Sequence, residues 1–279
     1  MKRVLSILLS LLMVLSLFTA CAPADNKGGG NTKPNTEEEV KPGDEEEAKP
    51  DAEATSDVIK IGVFEPLTGM NGGGGLQELG GIEYANKMYP EVLGKKIELV
   101  VVDNKSDQGE ATTAVTRLIE KDKVVAIVGS YGSGVSIAAG DIIKDAQIPA
   151  MGASCTNPMV TEGNDFYFRA CFLDPFQGKV MATYAIEQGA KTAAVIMQNG
   201  DDYSVGLANF FINAFKELTG EDASIVDVSE FQLNEADFNA ILTNIKAKNP
   251  DVIFAPSAAT TAPLIIKQAR DLGIESLIM

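Results

Sequence analysis

Histidine is absent from all 279 residues, and so is tryptophan. The first absence removes the commonest general base and the commonest zinc ligand. The second leaves aromatic contact with any ligand to tyrosine and phenylalanine. Cysteine is scarce: Cys21, Cys155 and Cys171 make no metal-ligand spacing, and no metal site is expected. Cys155 and Cys171 could pair in an oxidising compartment, or stay as two buried thiols. Positive charge is short as well, 23 Lys and Arg against 39 Asp and Glu, for a formal charge of −16. Nucleic-acid phosphates would be repelled by that surplus, so no nucleic-acid partner is expected. The apolar run from Val4 to Phe18 is too short for a comfortable transmembrane helix.

That run follows Lys2 and Arg3 and ends at Thr19 and Ala20, the pattern of an export signal over residues 1–20. Thr19-Ala20-Cys21 resembles a lipobox, which implies cleavage before Cys21 and its lipidation; an ordinary signal peptide is the alternative. Residues 21–57 hold Gly28-Gly29-Gly30, Glu37-Glu38-Glu39 and Glu45-Glu46-Glu47 among Pro, Lys, Asn and Thr. Such a segment buries too little apolar area to offset its ordering entropy, and it reads as a disordered acidic tether.

From Val58 onward apolar strand runs alternate with helical patterns. Val58–Phe64 is a strand, Glu65–Gly75 a glycine-rich loop and Leu76–Tyr89 a helix. Lys96–Val102 and Val124–Val128 are strands, with a helix between them. After the glycines at 129, 132 and 134 comes a helix striped by Val135, Ala138, Ala139, Ile142 and Ala146, then a strand from Pro149. An extended stretch, Phe166–Phe172, leads to the helix Pro175–Gln188 and the strand Ala193–Gln198. Helices at Val205–Leu218, around Phe238 to Ile245, and at Ala258–Leu272 alternate with strands at Ala223–Val228, Asp251–Ala255 and Ser276–Met279. This alternation predicts α/β architecture with parallel sheets and helices on both faces. A break near Cys171 to Pro175 divides it into two similar lobes, 58–172 and 173–279. Ile274–Met279 reads as a strand without its following helix, so the sequence is expected to be a fragment whose second lobe is incomplete.

Two hydroxyl-rich loops at the ends of successive strands stand out. In Gly129-Ser130-Tyr131-Gly132-Ser133-Gly134 there is no lysine for a phosphate loop, and the loop follows the third strand where a dinucleotide turn follows the first. No cofactor is expected. Backbone amides at a helix N-terminus with the Ser133 hydroxyl can bind a carboxylate; a tight turn that uses glycine for backbone freedom is the alternative. Ser154-Cys155-Thr156-Asn157-Pro158 is a second ligand loop or a turn into a short helix. Cys155 as a nucleophile would need a base, and no histidine supplies one. In Asp201-Asp202-Tyr203-Ser204 the tyrosine could cover a ligand and an aspartate could meet an ammonium, while Asp202 or Ser204 could cap the next helix. Asp103 and Asp107 read as loop and cap residues.

With these residues in view the chain resembles the branched-chain amino-acid (Leu/Ile/Val-binding) type of periplasmic substrate-binding protein, the receptor of an ABC importer. Ile59–Gly69, the central IVGSYGS, Ser154–Gly178, Asp201–Ala208 and Ile265–Ile274 carry the resemblance. It implies a type I binding fold, two Rossmann-like lobes closing on a ligand. By resemblance Ser133 with its neighbours Tyr131 and Gly132 meets the α-carboxylate, Ser154 and Thr156 contact carboxylate and ammonium, and Tyr203 closes from the second lobe. Ser257-Ala258-Ala259 stands where many members carry a tyrosine, and Met70–Gly75 is mostly glycine where relatives place larger contacts. The implied function is a lipoprotein at the outer face of the cytoplasmic membrane that binds an amino acid and delivers it to permease subunits. A ligand-sensing ectodomain of a signalling or chemotaxis system is the alternative. An enzyme is not expected.

Overall fold

The computed structural model describes residues 57–279. The export signal, Cys21 and all but the last residue of the acidic tether lie outside the described residues. The chain forms β1 (Val58–Glu65), α1 (Gly72–Met88), β2 (Glu91–Val92), β3 (Lys95–Asp103), α2 (Gln108–Glu120), β4 (Ala126–Val128), α3 (Ser133–Ala146), β5 (Ala150–Gly152) and β6 (Tyr167–Arg169). It continues through α4 (Asp174–Glu187), β7 (Ala193–Gln198), α5 (Asp202–Thr219), β8 (Ile225–Phe231), α6 (Asn239–Lys248), β9 (Val252–Phe254), α7 (Ala262–Asp271) and β10 (Leu277–Ile278).

The strands make two sheets. One runs β2-β3-β1-β4-β5-β6, parallel except for the short β2, which pairs antiparallel with β3 at the edge; the other runs β10-β9-β7-β8 and is parallel throughout. In both, the first strand lies between the second and third parallel strands. The chain therefore reverses its direction of travel beside β1 in one sheet and beside β7 in the other. In open α/β sheets the crevice at such a reversal, beyond the carboxyl ends of the strands, is where ligands bind.

Side-chain alternation sets the layers. Along β7 every residue is buried. Ala193, Val195 and Met197 face α4 and α5 with Phe211, Phe215 and Phe254, while Ala194 and Ile196 face α6 and α7 with Phe238, Leu242 and Ile265. A strand covered on both faces is the signature of a parallel sheet between two helical layers. The Phe211 and Phe254 rings stack with centroids 4.2 Å apart. In the first sheet Phe64, Ile127 and Tyr167 pack with Ala111, Val115 and Leu118 of α2 and Ala139 and Ile143 of α3.

Several boundaries differ from the pattern reading. The glycines Gly72 to Gly75 are the first turn of α1, not a loop. A Cβ on Gly75 would lie 2.1 Å from the Pro66 carbonyl oxygen, and one on Gly74 would lie 2.4 Å from Cζ of Tyr131. Close approach to α1, not turn formation, is what requires glycine at positions 74 and 75. Helix α5 starts at Asp202, three residues earlier than its apolar stripe suggests, and α7 starts at Ala262 rather than Ala258. Strand β8 begins at Ile225 because Asp222–Ser224 is a turn of 3-10 helix. Cys155 and Cys171 are both free thiols.

Candidate functional site

The carboxyl ends of β1, β4 and β5 face those of β7 and β9 across a cleft of about 530 Å³, within the range of small-molecule sites. All six residues singled out in the sequence, Tyr131, Gly132, Ser133, Ser154, Thr156 and Tyr203, line it.

On the first-lobe side α3 begins at Ser133, after Gly132 with φ +100°, a conformation that favours glycine. No side chain caps this helix. Gly134 and Val135 line the cleft beside Ser133, so the opening amides of the helix, its positive end, face the space. The Ser133 hydroxyl is buried and accepts from the Asn157 amide at 3.2 Å. Its own proton is left to donate toward the cleft. Beneath it, Tyr167 donates its hydroxyl to the Gly129 carbonyl at 2.7 Å, and Asn104 donates to the Ser130 hydroxyl at 2.8 Å.

The Ser154–Thr161 loop is held from below by Arg169 of β6. Its guanidinium donates to the carbonyls of Cys155 (2.9 Å), Asn157 (2.8 Å) and Pro158 (3.1 Å) and to the Thr161 hydroxyl (2.6 Å). Asn157 accepts from the Met159 amide at 3.0 Å and opens a 3-10 turn at Pro158–Val160. The ligand loop and the turn into a short helix are therefore the same segment. Burial pushes the Cys155 thiol up to about 11, so it stays protonated and is no nucleophile.

Under Tyr131 lie two acids that no sequence motif marks. Glu65, at the end of β1, is fully buried, and its Oε2 accepts from the Tyr131 amide at 2.7 Å. Glu78 of α1 lies close enough to Glu65 for its charge to act on it, and it accepts the Ser154 hydroxyl. Burial, with the neighbouring Glu78 charge adding to it against the Tyr131 amide, pushes Glu65 up to about 9. Burial raises Glu78 as well. The signal that could have found Glu65 is a carboxylate closing an otherwise apolar buried strand.

The second lobe contributes Gln198, Gly200 and Asp201 after β7, Tyr203 from the first turn of α5, and Ser257 and Ala258 after β9. The helix cap is Asp201, which accepts from the Ser204 amide at 3.2 Å, and not Asp202 or Ser204. Ser204 instead accepts from the Gln198 amide at 2.8 Å and donates to the Pro256 carbonyl, joining two cleft loops. Burial raises Asp201 and Tyr203 above their usual ranges. Asp174, at the start of α4, is buried and raised too, with Thr156 and Arg169 offsetting part of the shift. Asp202 spans the mouth: Gln108 of α2 donates to its Oδ2 at 3.2 Å, and Asn157 donates to its carbonyl at 2.8 Å. Asp107 caps α2 by accepting from the Glu110 amide at 2.9 Å, and Asp103 accepts from the Leu67 and Lys105 amides, each at 2.8 Å.

The cleft thus sets hydrogen-bond donors on one wall against the half-buried Asp201 carboxyl on the other. Residues 58–279 match the family model described as periplasmic binding protein. The chain is 40% identical to a leucine binding protein from Thermotoga maritima MSB8, with a TM-score of 0.74 over 79% of this chain and 62% of that one. It is 35% identical to the branched-chain amino acid transporter substrate binding protein of Streptococcus pneumoniae solved in complex with isoleucine, with a TM-score of 0.73 over 79% and 63% of the two chains. An amino acid binding protein of Pseudomonas aeruginosa is 30% identical over 230 residues, 81% of this chain and 60% of that protein. The chain therefore spans somewhat under two thirds of the length of these relatives. With the matched region running from the first strand to the last, the chain belongs to the periplasmic binding protein family.

Proposed function

We propose that this chain is the ligand-binding part of an exported receptor that holds an α-amino acid, branched-chain or closely related, between its two lobes. The carrying observation is Ser133. It opens an uncapped helix and accepts from Asn157, so hydroxyl and amides all donate into the cleft, the arrangement a carboxylate needs. Asp201 on the far wall, a half-buried acid, suits an ammonium group. Tyr203 covers the ligand from the second lobe, and Thr156 contacts its polar end. The relatives' descriptions, leucine and isoleucine among them, support an aliphatic amino acid. The ligand is then delivered to ABC permease subunits, and lipidated Cys21 tethers the receptor to the outer face of the cytoplasmic membrane.

Titration calorimetry of the full chain against a panel of L-amino acids tests the reading. Leucine, isoleucine or valine is expected to bind. Ser133→Ala with Thr156→Ala is expected to weaken that binding by about 2–4 kcal/mol, through lost charge-assisted hydrogen bonds. A double variant with unchanged affinity, or a chain that binds no α-amino acid, refutes it.

A further inference from the structure

Two hydroxyls of the cleft have opposite hydrogen-bonding polarity, and a half-buried acid outside the cleft wall sets one of them. A serine hydroxyl has one proton to donate and lone pairs to accept with. Ser133 accepts from a backbone amide, so its proton is free for the ligand. Ser154 gives its proton to Oε1 of Glu78, so only its lone pairs are left for the cleft it lines.

What fixes Ser154 is the state of Glu78. Its other oxygen, Oε2, and Oε1 of Glu65 are buried without a hydrogen-bond partner among the described residues. Burial, with the Glu78 charge beside it, pushes Glu65 up to about 9, so at neutral pH Glu65 carries a proton and Glu78 is left to accept. Oε2 of Glu65 is occupied by the Tyr131 amide. Neither acid has a Lys or Arg partner among the described residues. Oε1 of Glu78 is the oxygen of the pair that faces Ser154 and takes its proton.

We infer that Glu78 is a positioning residue that holds the Ser154 hydroxyl as an acceptor toward the cleft, so that the site selects ligands with a free ammonium over the same carboxylate without one. This rests on the amino-acid reading of the cleft. Without Glu78 the Ser154 proton would swing into the cleft, and the polar rim would offer donors at both ends. Such a rim suits a simple carboxylate and repels an ammonium.

The test compares L-leucine with 4-methylpentanoate, its deaminated analogue, by competition calorimetry on the full chain. The wild-type chain is expected to prefer leucine. Glu78→Leu is expected to lower that preference by about 10- to 100-fold, the worth of one charge-assisted hydrogen bond turned the wrong way. Glu78→Gln is expected to keep it, because its amide carbonyl still accepts from Ser154 while its amide nitrogen donates to Glu65. Ser154→Ala is expected to lose the preference, and adding Glu78→Leu to it should change the preference no further. Glu78→Gln falling as far as Glu78→Leu, or an undiminished effect of Glu78→Leu in the Ser154→Ala background, overturns the inference. So does Ser154→Ala with its preference intact, a result that holds even where Glu78→Leu fails to fold. A wild-type chain that binds neither compound refutes the amino-acid reading itself, which separates the two failures.

Discussion

Replacing Glu65 by glutamine should make the protein more stable, and increasingly so as the pH rises. The native carboxyl is pushed up to about 9, chiefly by burial, from a reference value of 4.5. Between those values the folded chain keeps a proton that the unfolded chain has released. Stability contributed by a raised group is whole below the unfolded value and declines as pH climbs toward the folded one, by about 1.4 kcal/mol for each pH unit. From about pH 5 to about pH 8 the loss sums to roughly 4 kcal/mol. Glutamine does not titrate, and it fits the bonds in place. Its carbonyl accepts the Tyr131 amide, and its amide nitrogen donates to Glu78. Wild type and Glu65→Gln should therefore unfold at similar urea concentrations near pH 5. Near pH 8 the variant should unfold about 1–4 M higher, for an m-value of about 1–3 kcal/mol/M. Far-UV circular dichroism is the natural probe, since the chain has no tryptophan. Asp174 and Asp201 are raised by burial in both proteins, so their shared slope cancels in the difference. A stability gap that stays constant across this pH range would refute the retained-proton account.

Gly74→Ala should displace the Tyr131 ring, whose Cζ lies 2.4 Å from the added carbon. The expected cost is about 1–3 kcal/mol of stability, read by thermal unfolding, with weaker ligand binding by calorimetry. Arg169→Ala removes four hydrogen bonds from the Ser154–Thr161 loop and should cost about 3 kcal/mol, with faster amide hydrogen exchange at residues 155–161. Exchange unchanged there would show that the loop does not depend on the guanidinium. Asp202→Ala cuts the Gln108 bridge across the mouth. Small-angle scattering of the unliganded chain should then report a larger radius of gyration, while the melting temperature moves little, because an exposed pair of this kind contributes under about 1 kcal/mol.

The sheets were legible because burial on both faces leaves long apolar runs, and Val58–Phe64 and Ala193–Gln198 show it plainly. The cleft's hydroxyls were legible for a different reason. Serines next to glycines after a buried strand have few other uses, and the order of the segments carried a family resemblance. Gly72–Gly75 was misread because intrinsic propensity treats four glycines as a breaker, whereas here the ring of Tyr131 and the backbone of Pro66 lie against the helix and leave no room for side chains at Gly74 and Gly75. The cap of α5 was misplaced because three candidates within four residues, Asp201, Asp202 and Ser204, satisfy the same local rule. Only the bond from Ser204 to Pro256 removes one of them. Glu65 and Glu78 escaped entirely. They are thirteen positions apart on different elements, and their meeting with Ser154 depends on how α1 crosses the sheet, which no local pattern encodes.

The two walls of the cleft are braced unequally, and this has a kinetic consequence. Arg169, Tyr167 and Asn104 bolt the first-lobe loops to their own sheet, so that wall stands ready before anything arrives. Tyr203 and Asp201 ride on the second lobe, and on the proposed function they come into play as the lobes approach. On the proposed function, changes at Ser133 or Arg169 should slow capture. Changes at Tyr203 or Asp202 should leave arrival nearly untouched and shorten the time a ligand stays. Rapid-mixing traces of such variants would separate into two families, one altered in the forward rate and one in the return.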